Sequence, residues 1–169
     1  IVFGADGLKT GHTEESGYGL VGSAKRNNLR FILVLNGMNS QKHRKEESAR
    51  LLNFAFREYK EINFFQKNDT VVDAKVWLGI NDRVSLKVGE DISLLLNSIE
   101  QRNVKITAYW REPIFAPIKK NMEVGELKID LSNNKIITYP LYVSNTINKD
   151  TILNRISSKI DYFIWGTVR

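Results

Sequence analysis

The run Asp6-Gly7-Leu8-Lys9-Thr10-Gly11-His12-Thr13, followed by Gly17-Tyr18, is the stretch whose residue types can do chemistry. A phosphate-binding loop needs Gly directly before its Lys-Thr pair and a further Gly five residues earlier. Leu8 precedes Lys9, so that spacing fails. A second reading is a glycine-rich hairpin whose Lys and Thr are merely solvated, because a bare Lys-Thr-Gly is a common tripeptide. A third is a strand edge that receives an extended peptide. In that case the Lys9 ammonium assists proton transfer and supplies positive potential. Thr10 offers a hydroxyl hydrogen bond to a carboxylate. Gly11 leaves the backbone bare, so a peptide can lie against it.

The elements that must position these residues follow from pattern. Residues 1–3 are apolar and strand-like, and Gly4, Gly7 and Gly11 then break up a polar stretch that reads as loop. Residues 17–24 (GYGLVGSA) are small and apolar, as in a strand packed closely on a neighbour. Asn27-Asn28 is a turn signal, and residues 29–35 (LRFILVL) form an apolar run that predicts a central strand covered on both faces. These two strands are expected to pair antiparallel. Asn39 or Ser40 can cap a helix to about Tyr59, with Ser48, Leu51, Leu52, Ala55, Phe56 and Tyr59 on one face. Glu46 and Arg50 are spaced to pair on its exposed side, and Phe54 lies off the apolar face.

After Lys67-Asn68-Asp69 the character changes to short alternating runs over residues 71–78, 84–88, 92–96, 104–110, 125–131 and 135–143. Asn81-Asp82, Gly89-Glu90 and Asn133-Asn134 mark turns between them. The expectation is a small β-sandwich. From residue 150 to 165 the helical period returns, with Ile152, Ile156, Ile160 and Phe163 on one arc. This amphipathic tail either lies on a membrane surface or packs on its own domain.

Composition narrows the classes. The chain has 169 residues, 42% hydrophobic, with formal net charge +6. That charge suits acidic partners or is a solubilising surface. Lys and Arg are spread along the chain rather than clustered, so nucleic acid is not expected. There is no cysteine, which excludes disulfides and thiolate metal sites, and two histidines, His12 and His43, are too few for an ordinary zinc site. No metal or other cofactor is expected. His43 is taken as a surface residue.

The run DGLKTGHTEESGYGLVGSA closely resembles the third-motif region of the low-molecular-weight penicillin-binding proteins, the serine-type D-alanyl-D-alanine carboxypeptidases. HRKEESARLLNFAFREY is similar to that family's Arg-x-x-Glu-Ser helix, APIKKNMEVGELKIDL to its β-rich second domain, and NRISSKIDYFIW to its amphipathic anchor. The resemblance covers nearly the whole chain. It implies removal of the terminal D-alanine from peptidoglycan stem peptides through an acyl-serine intermediate, acylation by β-lactams, and a place on the outer face of the bacterial cytoplasmic membrane. It implies an α/β then all-β fold. Residues 1–63 would end a transpeptidase-like catalytic domain of antiparallel strands plus a helix. Residues 64–147 would form the small β-sandwich domain, and 148–169 the tail helix, which would meet an anionic membrane surface.

Under the resemblance Lys9 and the His12 backbone are catalytic, whereas Thr10, Gly11 and Arg44 bind substrate. Arg44 has an equal alternative as a solvated arginine in the helix's first turn. The family's Ser-x-x-Lys and Ser-x-Asn motifs belong upstream of Lys-Thr-Gly, where this sequence has only eight residues. Ser132-Asn133-Asn134-Lys135 fits both patterns literally, but it sits between the runs KIDL and KIITYPL as hairpin-loop chemistry. The expectation is therefore a piece of a carboxypeptidase that lacks its nucleophile, is inactive alone, and requires an amino-terminal half as partner. Alone, it would expose apolar positions such as Phe31, Leu33 and Leu35 and associate. The alternative is a non-catalytic envelope module with a membrane-surface helix.

Overall fold

The computed structural model describes residues 2–131 and 135–150, and the chain is mostly β with one long helix. It divides into two compact units, one running to Ile62 and including Leu94–Gln101, the other made of Asn63–Ser93 and the residues from Arg102 onward.

The first unit holds β1 (Ala5–Thr13), β2 (Gly17–Arg26), β3 (Leu29–Met38) and α1 (Gln41–Glu58), with a sheet in the order β1-β2-β3. Asn27 at φ 53° and Asn28 make a two-residue hairpin that sets Arg26 opposite Leu29. Between β1 and β2, Thr13 Oγ1 accepts the Ser16 N–H at 2.9 Å. The Ser40 side chain caps α1 by accepting the His43 N–H at 3.0 Å, and Tyr59 leaves the helix in extended conformation.

Four expectations change here. The segment read as a glycine-broken loop is the strand β1, paired to β2 from Ala5↔Ala24 to Thr13↔Gly17. It shows no alternation because every position except Thr10 is exposed, so backbone pairing rather than side-chain burial makes it a strand. The run in β3 is covered on one face only. Phe31, Leu33 and Leu35 share the face of Leu20, Gly22 and Ala24, on which α1 lies. There Phe31 meets Phe56 edge-on at 4.9 Å, and a Cβ on Gly22 would reach Leu52 at 4.0 Å. The exposed positions are instead Ile32 and Val34, at 69% and 70%, together with Val21. On α1, Arg50 pairs with Glu47 rather than Glu46, because the guanidinium grips both carboxylate oxygens at 2.9 and 2.5 Å. Glu46 faces Lys42 at 3.9 Å.

The division between the units runs across a two-stranded ribbon of β4 (Tyr59–Phe65) and β7 (Ile92–Asn97). The short α2 (Ser98–Asn103) follows β7.

The second unit is built on β5 (Thr70–Trp77), β6 (Arg83–Val88), β8 (Lys105–Trp110), β9 (Ile114–Phe115), β10 (Glu123–Leu131) and β11 (Lys135–Val143). Their sheet order is β8-β10-β11-β6-β5-β9, antiparallel except for the β5–β9 pair. Alternating positions on these strands make the core: Leu86, Val88, Leu127, Ile129, Leu141 and Val143 are fully buried. Ile118 and Ile147, joined by reciprocal backbone bonds of 2.8 and 2.9 Å, complete it. The tail helix expected from residue 148 does not begin there: Lys149 bridges Gly79, and the Asp150 N–H bonds the Leu78 carbonyl at 3.0 Å, so residues 148–150 continue the second unit's backbone pairing. The rest of that helix and the Ser132-Asn133-Asn134 turn lie outside the described residues.

A candidate active-site edge strand

β1 is an edge of its sheet, so one side of its backbone has no strand beside it among the described residues. Such an edge is a template for an added extended peptide. Register decides which way the candidate side chains point. Lys9 lies opposite Val21, which lies opposite Val34, on the face away from α1. Thr10 lies opposite Leu20 and Leu35, on the α1 face, and His12 opposite Tyr18 on that same face. The sheet therefore sends Lys9 and Thr10 to opposite faces, and they share only the strand's outer edge. The Lys9 ammonium bends back to donate to the Thr10 carbonyl at 2.7 Å.

Arg44 reaches this strand from the first turns of α1. It is half-buried, donates to the Gly11 carbonyl at a long 3.4 Å, and its guanidinium carbon sits 5.6 Å from the centre of the Tyr18 ring. The His12 ring lies 4.0 Å from the same Tyr18 ring. His12 and Arg44 thus meet at the Tyr18 ring, with Arg44 also bonded to Gly11; Tyr18 belongs to the run named from sequence, which assigns it no role. His43 is exposed, its backbone N–H held by the Ser40 cap.

Gly11 is in open space, for an added Cβ would meet nothing within 4 Å. Its φ is not in the left-handed region, so nothing within this chain requires glycine there. A demand for a bare backbone would have to come from something that lies against the strand.

Upstream on β1, Asp6 is gripped by Arg30 of β3 through two hydrogen bonds of 2.8 and 2.7 Å, and Arg30 also bonds Ser23 of β2. One guanidinium thus bridges all three strands. The hydrogen bond from Arg30 is the main cause that holds the Asp6 carboxyl below its usual value, with Ser23 adding to it. This lock is an ion pair that spacing alone could not reveal, since its members are 24 residues apart.

Among the described residues no group of three or more His, Cys, Asp or Glu is placed to hold a metal. No described helix is long and apolar enough to cross a membrane. Leu131 and Lys135 pair across the end of the β10–β11 hairpin, the position at which a Ser-x-x-Lys match was set aside.

Comparison with known proteins places this geometry. The penicillin-binding protein 5 C-terminal domain family matches residues 59–149, and the D-alanyl-D-alanine carboxypeptidase family matches residues 2–41. D-alanyl-D-alanine carboxypeptidase DacA of Escherichia coli K12 is 33% identical over 158 residues, which cover 93% of this chain and 38% of that protein. DacF of Bacillus subtilis is 34% identical over 147 residues, 86% of this chain and again 38% of the relative. Among solved structures, penicillin-binding protein 5 of Haemophilus influenzae aligns with TM-score 0.60 at 29% identity, covering 87% of this chain and 43% of its own. The carboxypeptidase DacD of Francisella tularensis aligns with TM-score 0.61 at 32% identity, over 87% and 37% respectively. The chain spans less than half the length of these relatives. With a Lys-Thr-Gly edge strand at one end and the matched β-rich region at the other, the chain belongs to the penicillin-binding protein 5 family of serine-type D-alanyl-D-alanine carboxypeptidases.

Proposed function

We propose that this chain supplies the substrate-receiving strand of a carboxypeptidase that removes the terminal D-alanine from peptidoglycan stem peptides. The observation that carries this reading is the open outer edge of β1 at Lys9-Thr10-Gly11. A stem peptide ending in D-Ala-D-Ala lies along that edge as an added strand. The Thr10 hydroxyl donates to its terminal carboxylate, and Arg44, behind Gly11, adds positive potential. The Lys9 ammonium stands on the opposite face. There it assists proton transfer beside a serine nucleophile carried by an amino-terminal half. The His12 N–H helps to hold the oxyanion of the tetrahedral intermediate, an interaction that strengthens as charge develops. β-Lactams, which carry a carboxylate next to a reactive carbonyl, follow the same path to an acyl-enzyme.

In this reading residues 1–63 complete the transpeptidase-like catalytic domain and residues 64–147 form a small β-sandwich. The chain works in the cell envelope, on the outer face of the cytoplasmic membrane. The resemblance of most of the chain to D-alanyl-D-alanine carboxypeptidases supports this reading.

Fluorescent penicillin tests it. The 169-residue chain is expected to remain unlabelled. Mixing with a separately made amino-terminal half of a relative restores labelling and D-alanine release. Labelling of the chain alone that disappears in Ser132→Ala would overturn the assignment of the nucleophile elsewhere.

A further inference from the structure

The second unit contains a cleft of about 660 Å³ that none of the proposed chemistry uses. Its walls come from three turns and two paired strands at one end of the sheet. Lys67 and Asn68 precede β5; Lys87 and Val88 end β6, and Gly89 and Glu90 follow it; Lys120 and Asn121 precede β10; Tyr139, Pro140 and Tyr142 belong to β11.

The construction is specific. Tyr142 lies opposite Lys87 in the β11–β6 pair, and its ring lies against Gly89, where an added Cβ would come 2.7 Å from Tyr142 Cε2. Asn68 and Asn121 both adopt positive φ, 74° and 63°. Their backbone N–H groups are bonded to the Val88 and Val143 carbonyls at 3.0 and 2.9 Å, which fixes both turns to the strands. The Asn68 side chain in turn accepts the Lys87 ammonium at 3.0 Å. The lining carries three ammonium groups against one carboxylate, Glu90. Asp69 and Asp91, next to the lining in sequence, accept the backbone N–H groups of Gln66 and Lys67 at 2.7 Å, so their carboxylates hold the turns beside the cleft. Lys67 and Lys120 are exposed and make no ion pair among the described residues.

The geometry points to a binding site for a carboxylate-bearing glycan. The half-buried Tyr142 ring, set against Gly89, offers a flat apolar face for the C–H face of a sugar, with its hydroxyl at the rim. Lys67, Lys87 and Lys120 line the same cleft against the single lining carboxylate of Glu90 and offer ammonium groups to acidic groups, which neutral sugars lack. Asn68 and Asn121 are placed to satisfy sugar hydroxyls or N-acetyl groups. Peptidoglycan is such a polymer, so the choice of probe rests on the carboxypeptidase reading. The cleft would hold the polymer at a point distinct from the scissile bond.

The probe is a disaccharide-tripeptide muropeptide, which has N-acetylated sugars and free carboxylates but no terminal D-alanine. It is titrated into the full 169-residue chain, with binding followed by amide chemical shifts. Expected are saturable shifts at Gly89, Asn121 and Tyr142, weakened about ten-fold by Lys67→Glu combined with Lys120→Glu and reduced by salt. Lys45→Glu, the same charge reversal on exposed α1, should leave affinity within about two-fold. Chitotetraose, with sugars but no carboxylate, should bind at least about ten-fold more weakly. Equal binding of chitotetraose, indifference to the lysine reversals, or no shifts in the cleft at millimolar probe overturns the proposal. Because the probe lacks D-alanine, failure of the β1 assignment would leave these shifts unchanged.

Discussion

Replacing Gly11 with Ala separates a glycine kept for a ligand from one kept for the fold. At Gly11 the added methyl enters open space, with nothing within 4 Å, on a backbone any residue can adopt. Losing a strand glycine there should stabilise the chain by about 0.5–1 kcal/mol, through the lower entropy of the unfolded state. Gly125 is the control. It pairs with Trp110, and its Cβ would collide with the Tyr109 carbonyl oxygen and come 2.8 Å from Trp110 Cβ. Backbone cannot swing aside as a side chain can, so β8 must shift, at roughly 1–3 kcal/mol. The two variants should differ by about 1.5–4 kcal/mol, or roughly 3–16 °C in melting temperature. Acylation by fluorescent penicillin, measured in the chain joined to an amino-terminal half, should behave the opposite way. Gly11→Ala loses about ten-fold or more in rate, a barrier increase near 1.4 kcal/mol, because the methyl holds the peptide off the strand. Gly125→Ala acylates normally at temperatures where it is folded. If Gly11→Ala is destabilised like Gly125→Ala, or acylates at the unaltered rate, β1 is not the receiving edge.

Three further outcomes are expected. Asp6 has its pKa lowered by Arg30, so the pair's contribution is present above the ordinary carboxylate value of 3.8 and is lost as pH falls through the lower folded value. The melting-temperature gap between the unaltered chain and Asp6→Asn should therefore be flat from about pH 5 to 8 and close below about pH 4; a gap that widens on acidification would refute the sign. Ser40→Ala removes the cap on the His43 N–H and should cost about 1 kcal/mol, with faster amide exchange confined to the first turn of α1 and loosened Arg44. Deleting residues 151–169 should abolish salt-sensitive sedimentation with anionic vesicles if the tail lies on the membrane, and undiminished binding would end that idea.

Local signals were legible where the cause is local. The Asn27-Asn28 turn, the Ser40 cap and the strands β5, β6, β8, β10 and β11 follow from turn chemistry, capping and alternation, and the structure has them within a few residues. α1 ends at Glu58, one residue before the expected end, because Tyr59 turns directly into β4. β4, β9 and α2 went unread, being short or hidden against a neighbouring pattern. The Lys-Thr-Gly run and its neighbours were recognisable in order, since a contiguous motif needs no folding to be seen.

Tertiary structure alone decided the rest, for the physical reason that strand pairing joins residues distant in the chain. An apolar run such as residues 29–35 carries no parity, so only the packing of α1 could determine that Phe31, Leu33 and Leu35 are covered while Ile32 and Val34 are exposed. β1, exposed at nearly every side chain, is a strand only because β2 completes its backbone hydrogen bonds. Register with β2 puts Lys9 and Thr10 on opposite faces, and α1 brings Arg44 to Gly11 from 33 residues away. In the second unit, lysines at positions 67, 87 and 120 are unremarkable in sequence. They surround one cleft because β6 and β11 pair and two positive-φ asparagines turn the chain back toward them.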